Sequence, residues 1–111
     1  MSLIAVDKTD FESAVLDGEL PAMVLFFNEA KQSSINMLAV FEEAAKDLGG
    51  KVSLFKKKYV GNGSSENAYG VESAPTTVFF KEGKKVGELV GYYQYQEGGT
   101  LRRKINELFG V

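Results

Sequence analysis

Apolar residues fall along this chain in blocks whose period changes from one block to the next. Leu3 to Val6 is a short apolar segment that reads as an edge strand. Thr9-Asp10-Phe11-Glu12 then has the spacing of a capping box, with the Thr9 hydroxyl accepting from the Glu12 N–H and the Glu12 carboxylate from the Thr9 N–H. Phe11, Ala14 and Val15 share one helical face as far as Leu16, and Asp17-Gly18 ends that turn. Ala22 to Phe27 is apolar without alternation, as expected of a strand covered on both faces. Pro21 suits its entry, because proline has no N–H to give to a ladder. Met37, Leu38, Phe41, Ala44, Ala45 and Leu48 return near the helical period, with Glu42, Glu43, Lys46 and Asp47 on the wet side and Gly49-Gly50 as terminator.

Val52 to Tyr59 reads as a third strand whose alternation breaks into Lys56-Lys57-Lys58. Gly61-Asn62-Gly63-Ser64-Ser65 is a turn, followed by a brief helix through Asn67 that ends at Tyr69-Gly70. Thr76–Phe80 and Lys85–Val90 pair as a hairpin around Glu82-Gly83, and Leu101, Ile105, Leu108 and Phe109 stripe a last helix. The order β-α-β-α-β-α-β-β-α predicts an α/β domain: a central mixed sheet of about four to five strands, helices on both faces, and an antiparallel edge from the hairpin. A chain of 111 residues suffices for one hydrophobic core and is too short for two, so residues 1–111 are expected to form a single domain.

Composition narrows the function. Apolar content of 44% and charged content of 25% are ordinary for a globular protein. A net charge of -2 gives no electrostatic case for nucleic acid. No apolar run approaches the roughly 20 residues that span a bilayer, so no membrane partner is expected. The start MSLIAVDKTD lacks the basic region and long apolar core of a signal peptide. The expected location is therefore cytoplasmic, and the sequon Asn62-Gly63-Ser64 reads as a turn.

The chain contains no Cys, His or Trp. Thiol chemistry, disulfides, zinc sites built on thiolate or imidazole, and imidazole acid–base catalysis are thereby excluded, and no cofactor or metal is expected. Lys31 and Ser34 stand three apart at a helix start and share a face. They read either as a Ser–Lys nucleophile pair or as a cap by Ser33 or Ser34 beside a solvated Lys31. The second reading is favoured, because a lysine base must be desolvated to be neutral near pH 7 and this loop is expected to be exposed. Lys56-Lys57-Lys58, split by alternation across two faces, reads as a solvated edge rather than an anion patch. Gly61-Asn62-Gly63-Ser64 lacks the lysine and spacing of a phosphate-binding loop. Tyr92, Tyr93 and Tyr95 either cap the core or anchor an interface, such as a weak homodimer.

Two blocks together resemble the thioredoxin family. Val24-Leu25-Phe26-Phe27 followed by Asn28-Glu29-Ala30-Lys31-Gln32-Ser33-Ser34 is similar to the segment in which a strand ends in Phe-Trp-Ala-Glu-Trp-Cys-Gly-Pro-Cys and enters a helix carrying Glu-Glu, as at Glu42-Glu43 here. Tyr69-Gly70-Val71-Glu72-Ser73-Ala74-Pro75-Thr76 is similar to the family's Tyr-Gly-Ile-x-x-(Ile/Val)-Pro-Thr block, and needs no gap relative to the first. Lys56 and Val90-Gly91 match further positions, and the likeness runs from about residue 4 to 109 with a small insertion at Tyr92–Gly99. It implies the thioredoxin fold, a cis peptide bond at Pro75, and an Ala74 backbone that meets a bound peptide.

The departures fall on the chemistry. Lys31 and Ser34 occupy the two cysteine positions, Gln32-Ser33 replaces Gly-Pro, Ala30 replaces a tryptophan, and Leu25 replaces the buried aspartate that assists proton transfer. Dithiol exchange needs one thiolate to attack and a second to resolve, so this chain alone performs neither step. An apolar Leu25 suits that loss, since a buried carboxylate is costly to keep. The resemblance then implies a protein- or peptide-binding module without dithiol activity. Its groove would have Phe27, Ala30, Lys31, Gln32, Ser33 and Ser34 on one wall, Ala74, Pro75 and Thr76 on the other, and Gly91 at the end. The alternatives are an oxidoreductase role in redox homeostasis with a cysteine supplied by a partner, and a structural subunit of a larger complex.

Overall fold

A computed structural model describes residues 3–7 and 9–111. The strands are β1 (Ile4–Ala5), β2 (Ala22–Phe27), β3 (Ser53–Lys58), β4 (Thr76–Lys81) and β5 (Lys84–Val90), and the main helices are α1 (Gln32–Leu48), α2 (Ser64–Tyr69) and α3 (Thr100–Phe109). A single helical turn, Glu12–Leu16, links β1 to β2. The five strands form one sheet in the order β1-β3-β2-β4-β5. β1, β3 and β2 run parallel, while β4 is antiparallel to both β2 and β5. Glu82 and Gly83 both take positive φ, as a two-residue hairpin turn requires, and close β4 onto β5.

Each face of the sheet has its own core. Alternation along β2 sends Met23, Leu25 and Phe27 to one face, against Met37, Phe41 and Ala44 of α1 and Leu101, Ile105 and Phe109 of α3. Val24 and Phe26 go to the other, against Phe11, Val15, Val71 and Phe80, with Tyr69 of α2 packed on them. All six residues of β2 are buried, which is why its sequence shows no polar alternation.

Two local expectations give way. The capping box at Thr9 is absent. Instead the Asp7 carboxylate accepts the N–H groups of Thr9 and Asp10, and the Asp10 carboxylate accepts the Asp7 N–H at 2.7 Å. An aspartate reaches neighbouring amides through a shorter side chain than glutamate, so Asp7 takes the Thr9 N–H that Glu12 was expected to take. The N–H groups of Thr9 and then Asp10 hold the Asp7 carboxyl below its ordinary pKa. The turn they start is wound wide, with Asp17 N–H donating to Glu12 C=O five residues back.

The lysine run differs more. β3 lies inside the sheet between β1 and β2, so Lys57 does not belong to an edge. Its ammonium is buried and pairs with Glu66 Oε2 of α2 at 2.7 Å, also donating to the Lys58 carbonyl. Phe26 offers a ring face 5.6 Å from the same nitrogen. Lys58 alone fits the solvated reading, with a surface pair to Glu29.

Candidate functional site

The loop between β2 and α1 is built by Asn28, a residue suited to turns because its short amide can bond nearby backbone. Its side-chain oxygen accepts the Ala30 N–H at 2.9 Å, and its carbonyl accepts the Lys31 N–H at 2.9 Å. Its own N–H donates to the Ser34 hydroxyl oxygen at 3.0 Å. Ser34 is therefore turned inward and fully buried, and it does not cap α1. Lys31 takes the N-cap position with extended backbone and no side-chain cap. The Ser–Lys pair and the serine cap are both replaced by a serine that fastens the loop from beneath.

Lys31 itself reaches across. Its ammonium donates to the Ala74 carbonyl at 3.1 Å, joining the loop to the turn before β4. The Ala74–Pro75 peptide bond is cis, and the Pro75 carbonyl accepts the Gly91 N–H at 2.8 Å. Ala30, Lys31, Ala74, Pro75 and Gly91 thus meet at one end of the sheet, with Gln32 exposed and Ser33 half-buried in the first turn of α1. Exposed apolar side chains stand on two of the elements that bound this place: Ile35 in the first turn of α1, and Val90 and Tyr92 on either side of Gly91. Five of the ten residues expected to line the groove are buried: Phe27, Ser34, Ala74, Pro75 and Thr76, of which Ala74 still meets Lys31, and Pro75 Gly91, through its carbonyl. Ser34 is buried under the loop, and Thr76 is buried with its hydroxyl donating to the Ser73 carbonyl. Phe27 is buried, and the surface it keeps faces a different cleft, beside Lys57 and Glu66.

The tyrosines separate. Tyr95 is buried, donates its hydroxyl to Asp47 Oδ2 and carries the Arg102 guanidinium 5.0 Å above its ring. Burial first, and then the Asp47 carboxylate, push its phenol up to about 12. It caps the core and is not available as an interface anchor. Tyr93 packs half-buried against the same core, and Tyr92 is exposed. Neither Asn28 nor the Lys57–Glu66 pair stood out in the sequence. Asn28 looked like any loop residue, and Glu66 lies in a short polar helix that gave no sign of its burial.

Sheet order, the cis turn beside the start of α1 and the loop that Asn28 organises define a thioredoxin-fold domain with no thiol at its centre. The chain belongs to the thioredoxin family: it matches the thioredoxin family model over residues 2–107. It is 34% identical over 94 residues to a thioredoxin of Rickettsia bellii, covering 85% of this chain and 89% of that one. Against a thioredoxin of Synechocystis the identity is 33% over 86 residues, covering 78% and 80%, and against one of Haemophilus influenzae it is 28% over 89 residues, covering 80% and 83%. Among the described residues no helix is long and apolar enough to cross a membrane.

Proposed function

We propose that this chain is a peptide-binding member of the thioredoxin family that acts without dithiol exchange. The observation that carries the reading is the 3.1 Å contact from the Lys31 ammonium to the Ala74 carbonyl, at the position the family gives to its attacking cysteine. A main-chain acceptor at the mouth of the loop is held by a flexible cation that an incoming strand can displace. An extended peptide would pair its N–H with that carbonyl as a short added strand, and Ile35, Val90 and Tyr92 would supply apolar contact. A carboxylate on the peptide would keep the displaced ammonium paired, so acidic peptides are preferred over neutral ones.

The test is binding of extended peptides by fluorescence anisotropy, with acidic and neutral versions of each sequence. Ala74→Arg is expected to abolish binding, because its side chain fills the groove. Lys31→Met is expected to remove the preference for acidic peptides and raise affinity for neutral ones about two- to fivefold, since an exposed charged contact of roughly 0.5–1 kcal/mol no longer competes. Acidic and neutral peptides that fail equally against the intact chain would overturn the reading. A disulfide-reduction assay on the pure protein is expected to stay at background, and turnover there would also overturn it.

A further inference from the structure

The sheet has two free edges, β1 and β5, and they are finished differently. At β1 the Val6 N–H donates to the Lys56 carbonyl, so Val6 faces β3 and alternation turns Leu3, Ala5 and Asp7 away from it. Carboxylates take two of those outward N–H groups. Glu42 accepts from Leu3 at 3.3 Å, and Asp10 accepts from Asp7 at 2.7 Å. Side chains thus close that edge against a further strand.

β5 has no such cover. The Gly91 N–H donates to the Pro75 carbonyl, so these two form a hydrogen-bonded pair. Bonded and non-bonded pairs alternate along an antiparallel ladder, which makes Thr76–Val90, Val78–Glu88 and Phe80–Lys85 the non-bonded ones. The N–H and C=O groups of Lys85, Glu88 and Val90 therefore point away from the sheet, and among the described residues no side chain bonds to them. Lys85 keeps step with Glu88 because Val86 is the extra residue of a bulge, standing between Phe80–Lys85 and Phe79–Gly87. The two side chains accordingly share a face, where the Lys85 ammonium meets the Glu88 carboxylate. No residue of β5 is buried, and Val86 and Val90 are both exposed.

We propose that two copies of this chain pair antiparallel along β5, about a two-fold axis at Gly87, and join their sheets into one. That register sets Lys85 of each copy opposite Glu88 of the other. The outward N–H and C=O groups of both residues then complete a ladder, and the four charges alternate in sign around the axis. Parallel pairing would set lysine on lysine and glutamate on glutamate, and an axis at Glu88 would bring the two carboxylates together. Charge on this edge therefore fits a second copy and fixes its register. An edge lysine ordinarily keeps strands apart, but here a glutamate on the same edge answers it. A seven-residue edge is small beside the roughly 1,200 Å² of a standard interface, so the dimer is weak and grows in with concentration. It uses none of the three tyrosines expected to anchor a dimer, and it does not depend on the groove at Ala74.

The test is sedimentation equilibrium of the whole chain over a rising concentration series, with amide hydrogen exchange read by NMR at the two ends of the series. The weight-average mass is expected to climb toward twice that of the chain. Exchange of the Lys85 and Glu88 amides should slow about tenfold at the high end, while that of Ala5, on the other edge, stays unchanged. Glu88→Lys sets lysine against lysine and should weaken association about tenfold or more. Lys85→Glu/Glu88→Lys restores the pair within the chain and the pairs between copies, and should return association to within about threefold of the parent. A chain that stays monomeric at the highest concentration would overturn the proposal. So would association that slows exchange at β1 or α1 instead of β5, a Glu88→Lys variant that associates as the parent does, or a double variant no better than the single. Slowing at Lys85 and Glu88 that needs an added extended peptide, at unchanged mass, would also overturn it and assign the edge to a peptide.

Discussion

Lys57→Met tests whether the buried pair shapes the domain or merely decorates it. In the native chain the two partners are 5% and 1% exposed at 2.7 Å, and each has further support. Lys57 also donates to the Lys58 carbonyl and faces Phe26, while Glu66 also accepts the Val60 N–H. Methionine nearly matches the lysine stem in volume, so the substitution opens little cavity and isolates the electrostatic effect. Glu66 would keep one donor for a full charge under α2. Removing one partner of a buried pair costs roughly 3–5 kcal/mol. A domain of this size has on the order of 6–17 kcal/mol in total, so the variant is expected to fold but with much of its margin gone. At roughly 4 °C per kcal/mol, the midpoint should drop by about 12–20 °C. Lys57→Met/Glu66→Leu leaves no buried charge and is expected to return to within about 2 kcal/mol of the parent. Urea unfolding followed by far-UV circular dichroism reads all three proteins, and tyrosine emission is unobscured because the chain has no Trp. A single variant that loses less than about 1 kcal/mol, or a double variant no better than the single, would refute the argument.

Two further outcomes follow from other contacts. The Tyr95 phenol, raised to about 12 by burial and then by Asp47, is protonated in the fold at pH values where the unfolded chain ionises near 10. Its contribution is thus fully present below pH 10 and lost between about 10 and 12, and Tyr95→Phe should flatten that part of the stability–pH curve relative to the parent. An unchanged slope would show that Asp47 and burial do not hold the proton. Ser34→Ala should cost about 1–3 kcal/mol in urea unfolding, because the Asn28 N–H loses its acceptor, and should leave peptide affinity unaltered. A loss of affinity at unchanged stability would return Ser34 to the groove.

Element order and strand pairing were legible because each rests on a strong local signal. β2 is apolar throughout, α1 keeps its helical stripe from Met37 to Leu48, and Glu82-Gly83 marks the hairpin. The site was legible only as far as backbone position decides it. Lys31, Ala74 and Gly91 come together because the fold carries them there. Which way Ser34 points was not, since a serine six residues past a loop asparagine can cap the helix or turn beneath the loop, and only the packed geometry chooses. Lys57 defeated the reading for a related reason. Alternation places it correctly on the face of Phe26 and Phe55, but nothing local shows that Glu66, nine residues on, descends onto that face from α2.

The placement of charge differs between the two faces of the sheet, and the difference falls where the family does its chemistry. Leu25 pairs in register with Lys56, and both belong to the face that carries α1. Beneath the loop that face holds Leu25, Met37 and Phe41, and the charge in register with Leu25 is the cation Lys56 rather than a carboxylate. The buried ionic pair lies one residue along β3 and therefore on the opposite face, under α2. In a family whose chemistry needs a carboxylate behind its thiols, this chain keeps apolar packing there and spends its buried carboxylate across the sheet. Restoring cysteines at 31 and 34 would thus recreate the sulfurs without the carboxylate, and adding Leu25→Asp would bury that carboxylate at a fully enclosed position where Lys56, in register with it, is the cation to balance it.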